Sequence, residues 1–329
     1  QISNFQKMQL TTQICYPQVT VVSFEGAGDD MDKPIKNILT AQQQQQAHPC
    51  CTGVNSYNIA RPIMQAVHYV WTYLRVVEKS GTIPVGDPDG KVNFVLPTGA
   101  MGNIAGGYMA KKMGLPVGML CAGVNSNDIT HRTIQTGKFY KFEMIKTLSD
   151  AINVQIPYNF ERLLYYLSNE DPDQVRMWME KVDATEKLDL DATWLARLQQ
   201  DFQSARIDDK EMCQTLLEVR DEYGYVADPH TAVALAAAKK LGYFGNGGLC
   251  AILATASPCK FEESVTAALG VDGWQTYSTS EDFPNHAKAI LEKEDKPVVE
   301  YKWDGADINE VQAEWQLKLE RMIVELSVK

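Results

Sequence analysis

Residues 92–103, Val-Asn-Phe-Val-Leu-Pro-Thr-Gly-Ala-Met-Gly-Asn, read as a buried strand that runs into a glycine loop and opens a helix. Val92, Phe94, Val95 and Leu96 have the β-branched and apolar character of a short central strand, and Pro97 stops it where the chain must turn. Gly99 and Gly102 let the backbone approach a ligand, while Ile104 to Met113 are helix formers ending at Gly114. In that arrangement the N–H groups of Gly99, Ala100, Met101, Gly102 and Asn103 point out of the loop, and the helix dipole favours an anion such as a phosphate there. An ordinary strand-to-helix turn of an α/β sheet has the same spacing, and the loop by itself leaves both readings open.

Outward from this stretch, Leu115 to Ala122 reads as a second strand. Strand, helix and strand then form a right-handed βαβ unit with a parallel sheet. A third strand is expected at Leu249 to Thr255. Upstream, the segment from Asn55 to about residue 80 is helical, with Ile63, Ala66, Val67, Val70, Trp71, Leu74 and Val77 as its buried stripe and Pro62 tolerated in the first turn. Residues 142–220 read as a mainly helical insertion. Asp228-Pro229 marks a helix start, with Asp as the cap and Pro in the first position. Residues 1–54 read as the end of a small α/β domain, with a strand at Val19 to Phe24. The run Gln42 to Gln46, with His48 to Cys51 after it, reads as a low-complexity loop insertion. Residues 55–329 form the large α/β domain, which ends in a helix capped at Asp307 and buried along Val311, Trp315, Leu319, Met322, Ile323 and Leu326.

The chain has 329 residues, of which 45% are apolar, ample for a substantial core. A net charge of −11 argues against nucleic acid as a partner. No run of about 18 apolar residues suits a membrane span, and the first residues lack a signal-peptide pattern. The start at Gln rather than Met suggests that upstream sequence is missing. Seven cysteines without a CxxC, and five scattered histidines, offer no metal site and read as reduced thiols in a cytoplasmic protein.

Seven blocks in order carry a more specific signal. They are QKMQLTT at 6–12, VNSYNIAR at 54–61, LPTGAMGNIAGGYMAKKMGLP at 96–116, VNSNDITHRTIQTGKF at 124–139, QIPYNFERLLYYL at 155–167, DPHTAVA at 228–234 and ATASPCKF at 254–261. Together they resemble the long-type threonine synthases of fungi and bacteria and their animal relatives, the threonine synthase-like phospho-lyases. The blocks HRTIQTG and QIPYNFER are closer to the phospho-lyase branch. The resemblance implies a fold-type II pyridoxal 5′-phosphate enzyme, with a mostly parallel open sheet and helices on both faces, acting on O-phosphohomoserine. It implies that the cofactor phosphate sits on Gly99, Ala100, Met101, Gly102 and Asn103, and that Thr255 meets the pyridine nitrogen. A neutral hydroxyl there leaves that nitrogen largely unprotonated and weakens the electron sink. Without the resemblance, Thr255 reads as a strand-end hydroxyl bonded to its own backbone.

One departure is informative. The lysine that carries the cofactor as a Schiff base belongs, in the family, to an N-terminal HGPTxxFKD-type segment, and these 329 residues contain no such motif. Lys260 in SPCKF matches a recurrent turn of the family instead. The chain therefore resembles the C-terminal two-thirds of an enzyme whose N-terminal segment is its missing partner, or else a noncatalytic binding protein that keeps a phosphate loop. For the substrate phosphate, the resemblance points to Asn55, Asn58 and Arg61, whose guanidinium suits a forked grip on phosphate. Asn55 or Ser56 also reads as a helix cap and Arg61 as a solvated charge, and Pro62 is expected to hold Arg61 in extended geometry. Arg132, which follows His131, and His230 read either as close to the site or as supporting and surface residues.

Overall fold

A computed structural model describes residues 3–12, 19–25, 28–45, 52–81, 87, 89–245, 248–294, 296–303, 305 and 307–327. In chain order the elements are α1 (Asn4–Thr11), β1 (Val22–Phe24), α2 (Gly28–Gln45), α3 (Ala60–Ser80), β2 (Val92–Pro97), α4 (Gly102–Lys112), β3 (Val117–Val124), α5 (Ile129–Thr136) and β4 (Lys138–Tyr140). They continue with α6 (Phe160–Leu167), α7 (Pro172–Thr185), β5 (Lys187–Asp189), α8 (Ala192–Asp201), β6 (Phe202–Arg206), α9 (Asp209–Tyr223), α10 (Pro229–Lys240), β7 (Cys250–Ile252), α11 (Glu262–Thr279), α12 (Asn285–Leu291), β8 (Val299–Tyr301) and α13 (Ile308–Ser327).

Residues 54–280 form one unit, built on a parallel sheet in the order β6-β3-β2-β7. Its central strand is β2, whose residues alternate between two cores. Phe94 and Leu96, with Leu120, Ala122 and Val124 of β3, face the core covered by α3 to α8. Val95 and Cys121 face the opposite core, with Met212 and Leu216 of α9 and the alanines of α10. Burial on both faces explains why the strand is a continuous apolar run rather than an alternating one. Each such side chain contributes about 1.5–3 kcal/mol to folding.

The structure departs from the sequence reading at several places within this unit. The region 142–220 is not only helical: Phe202–Arg206 pairs in parallel with Leu120–Val124 and supplies an edge strand of the main sheet. Its five residues are too few, and too mixed in character, to signal a strand on their own. On α3 the buried stripe is Pro62, Ala66, Tyr69, Tyr73 and Val77, while Ile63, Met64, Val67 and Trp71 are about half exposed or more. The cause lies on α4. A Cβ at Gly106 would stand 2.7 Å from the Pro62 carbonyl oxygen, and one at Gly107 would stand 2.5 Å from the Tyr69 ring. The glycine pair admits α3 closely only through the tyrosine face. The third strand, β7, is also shorter than expected.

Residues 1–53 and 281–329 form the other unit. The sequence reading carried the large domain through to residue 329. In the structure β1 pairs in parallel with β8, and Val311 and Trp315 of α13 pack with Val22, Phe24 and Met31. The apolar stripe of the tail helix thus has its partners at the chain's beginning. Gln42 to Gln45 are the last turn of α2 rather than a loop, in keeping with the good helix propensity of glutamine. The remainder of that expected loop, Gln46 and His48 to Cys51, lies outside the described residues. So does Cys15.

Candidate functional site

The segment 98–101 leaves the sheet at the carboxyl end of β2 and enters α4 without a side-chain cap. Thr98 is anchored, its N–H donating to the Gly123 carbonyl at 2.8 Å and its hydroxyl to the Leu96 carbonyl at 3.1 Å. Met101 then adopts the left-handed conformation, φ 61° and ψ 10°, and the first helical bond runs from the Ala105 N–H to the Met101 carbonyl. Among the described residues, the N–H groups of Gly99 to Ile104 donate to no protein acceptor. Successive free N–H groups around a left-handed residue, at the positive end of a helix, make an anion-binding concavity.

The conformation of Met101 has a measurable cost. A left-handed residue with a Cβ is strained by about 1–2 kcal/mol, yet the Met101 side chain is buried in the core beside α6 and α8. Met101→Ala loses the packing and keeps the strain, whereas Met101→Gly loses the packing and relieves it. We expect both variants to melt below the wild type, with the glycine variant the more stable of the two by about 1 kcal/mol. Equal melting, or alanine above glycine, in thermal denaturation would refute this account of the turn.

A clamp holds the loop from behind. Asn159, buried and just ahead of α6, donates its amide to the Ala100 carbonyl at 2.8 Å and to Ser56 Oγ at 3.0 Å. Its Oδ1 accepts from Arg162 Nε at 3.0 Å. The same guanidinium donates to the Ser56 and Tyr57 carbonyls at 2.9 and 3.0 Å. Burial lowers the pKa of Arg162 from its ordinary value, so its acceptors are needed to hold the charge there. Tyr158 completes the set: its hydroxyl lies 3.0 Å from Ser56 Oγ, and its ring stacks on Tyr57 at 4.1 Å. The sequence reading noted the block QIPYNFER but gave it no chemistry. Asn and Arg three residues apart at a helix start were the available signal.

Both loop glycines are required by this packing. A Cβ at Gly99 would lie 2.9 Å from Ile152 Cα, and one at Gly102 would lie 2.8 Å from Ser56 Cβ. The space a side chain would take is filled by protein atoms on the inner side of the loop.

Among the expected site residues, Thr255 follows β7, which runs parallel to β2 and is hydrogen-bonded to it, with Ile252 opposite Val95. The segments carrying Thr255 and Gly99 therefore leave the sheet at the same edge, where open α/β sheets bind ligands, and Thr255 is exposed. Asn55, Asn58 and Arg61 lie beside the clamp residue Ser56. The Asn55 and Asn58 side chains accept from the Tyr57 and Ala60 N–H groups, forming turns that lead into α3. Contrary to expectation, Arg61 is helical rather than extended, in the first turn of α3, and exposed. Arg132 is engaged elsewhere. It pairs with Asp128 at 2.8 Å and stacks on Phe142 at 3.8 Å. His131 turns to Ser204 of the edge strand, and burial lowers its pKa. Lys260 closes a 3₁₀ turn at Pro258–Lys260.

His230 sits at the start of α10 beside the cap Asp228, which has no exposed surface. Although burial acts to raise the Asp228 pKa, bonds from His230 and Thr231 outweigh it and hold the carboxyl below its ordinary value. His230 in turn accepts from the Ala151 N–H at 3.1 Å.

Residues 231–313 match a family model described as Threonine synthase, C-terminal. The chain is 35% identical over 267 residues to mouse threonine synthase-like 2, covering 81% of this chain and 54% of that protein. It is 31% identical over 306 residues to Saccharomyces cerevisiae threonine synthase, covering 88% and 57%. The solved structure of pyridoxal-phosphate-bound threonine synthase from Brucella melitensis superposes with a TM-score of 0.75 at 29% identity, covering 95% of this chain and 62% of that one. Yeast threonine synthase gives 0.75 and 29%, covering 97% and 63%. The chain thus spans about half the length of the curated relatives it matches.

Proposed function

Because this chain belongs to the threonine synthase family and has the fold-type II pyridoxal-phosphate architecture, we propose that it grips pyridoxal 5′-phosphate by its phosphate and serves a lyase reaction on O-phosphohomoserine. The observation that carries this reading is the Gly99–Asn103 loop, whose N–H groups are free of acceptors among the described residues while Asn159 and Arg162 are spent on fixing it. A dianion needs several fixed donors and no competing carboxylate, and the loop supplies donors only. When bound, the cofactor supplies an electron sink for the carbon next to the substrate amino group. Thr255 would bond the ring nitrogen with a neutral hydroxyl.

Asn55, Asn58 and Arg61 are the candidates for the phosphate that leaves the substrate. Arg61 makes no ion pair with the described residues, so its guanidinium is available for a bidentate contact. On this reading the lysine that carries the cofactor lies in a segment that precedes these 329 residues. Loss of phosphate is common to a synthase and a phospho-lyase. They part afterwards, because threonine formation needs a closed site that places one water on the β carbon.

The test uses the longer protein that carries both this chain and the lysine segment. On incubation with O-phosphohomoserine, phosphate release is expected, with 2-oxobutanoate exceeding threonine. Threonine as the sole product would overturn the phospho-lyase assignment, and no phosphate release would overturn the substrate.

A further inference from the structure

We propose that His230 is a positioning residue for the phosphate loop, acting as a neutral imidazole protonated on Nδ1 that accepts the Ala151 N–H and so holds the turn that packs on Gly99. The inference rests on the reading of that loop as the cofactor-phosphate site. Its geometry begins at Asp228. That buried carboxylate accepts from the N–H groups of His230 and Thr231 at 2.9 and 3.3 Å and from the Thr231 hydroxyl, and its Oδ1 lies 3.0 Å from His230 Nδ1. A carboxylate accepts only, so the ring proton belongs on Nδ1. Nε2 then presents its lone pair to the Ala151 N–H, 3.1 Å away.

Ala151 is the middle residue of the 3₁₀ turn Asp150–Ile152. Ile152, the next residue, meets the loop through its backbone, since a Cβ at Gly99 would lie 2.9 Å from Ile152 Cα. A short rigid chain therefore links the helix cap to the anion loop through one imidazole nitrogen. The ring is 3% exposed, and Phe261 covers it edge-on at 4.8 Å.

Asp150 supplies the independent observation. Its Oδ1 is buried, has no hydrogen-bond partner among the described residues, and lies 3.9 Å from His230 Nε2. A proton on Nε2 would face the Ala151 N–H, donor against donor, and its nearest acceptor would be that orphaned oxygen. To exchange Ala151 for Asp150 the turn must shift, and Ile152 moves with it. The carboxylates beside the ring are Asp228 on its own helix and Asp150 on the facing turn.

Nitrogen-15 NMR of the chain tests the tautomer, and titration with inorganic phosphate tests the consequence. The expected spectrum shows Nδ1 protonated and Nε2 bare, and the Ala151 and Gly99 amide signals should both move in His230→Phe. His230→Phe, which keeps a ring without an acceptor, should weaken phosphate binding about tenfold, the equivalent of one hydrogen bond. His230→Gln places an amide oxygen near the Nε2 position. It should restore most of the affinity. An Nε2–H tautomer overturns the proposal, as does a glutamine variant that binds phosphate as weakly as the phenylalanine variant. If the wild-type chain binds no phosphate, the cofactor-site reading fails. Whether the Gly99 amide signal moves in His230→Phe still decides the coupling.

Discussion

Gly102→Val is expected to unseat the Gly99–Asn103 loop and to cost both stability and the proposed anion binding. The Cβ alone would lie 2.8 Å from Ser56 Cβ, 3.0 Å from Ser56 Oγ and 3.4 Å from Asn159 Nδ2. None of these atoms can retreat cheaply. Ser56 is buried and bonded to Tyr158 and Asn159, and its backbone carbonyl is held by Arg162. Overpacking of this kind costs about 1–3 kcal/mol, and at this chain length that corresponds to a Tm lower by roughly 1.5–4.5 °C. Because α4 begins at this residue, the displacement falls on the N–H groups of 99–104, and saturable phosphate binding should disappear. Calorimetry and a phosphate titration on the same sample measure both. A variant that melts and binds like the wild type would show that the loop does not depend on close contact with Ser56.

Asn159→Leu should be more damaging to the fold, because it removes one side chain from three buried partners. The Ala100 carbonyl would keep only the longer bond from the Asn159 N–H at 3.3 Å. Ser56 Oγ would lose a donor, and the partly buried Arg162 would lose an acceptor. Unsatisfied buried groups cost about 1–3 kcal/mol each, so a loss of roughly 3–5 kcal/mol is expected, a large fraction of a domain's stability. Asn159→Asp separates the two roles. A carboxylate still accepts from Arg162 but cannot donate to the Ala100 carbonyl, and it places negative charge behind an anion loop. It should therefore lose more phosphate affinity than stability relative to leucine. Parallel effects of the two substitutions on both quantities would argue that Asn159 only fills space.

How much of this was legible beforehand follows from the range of each interaction. The run from Val92 to Asn103 and the Asp228-Pro229 helix start are decided by neighbours in sequence, and they read directly. Phe202–Arg206 becomes a strand only because β3 offers it an edge. On α3, apolar residues are in excess over what one face can bury, and the choice is made by Gly106 and Gly107 on another helix, which admit Tyr69 and Tyr73. The clamp joins Ser56 to Asn159 and Arg162 across about a hundred residues. No local period reports such a contact. The resemblance to threonine synthases pointed to the loop at 99–103 and to residues beside Ser56, but not to the side chains that hold them in place.

The most direct test of the central claim is to titrate the chain with pyridoxal 5′-phosphate while following its backbone amide resonances. The account predicts saturable shifts at Gly99, Ala100, Met101, Gly102 and Asn103, accompanied by Thr255 and competed away by inorganic phosphate at the loop positions. Shifts confined to other parts of the chain, or none at the loop when the ligand is in excess, would contradict it.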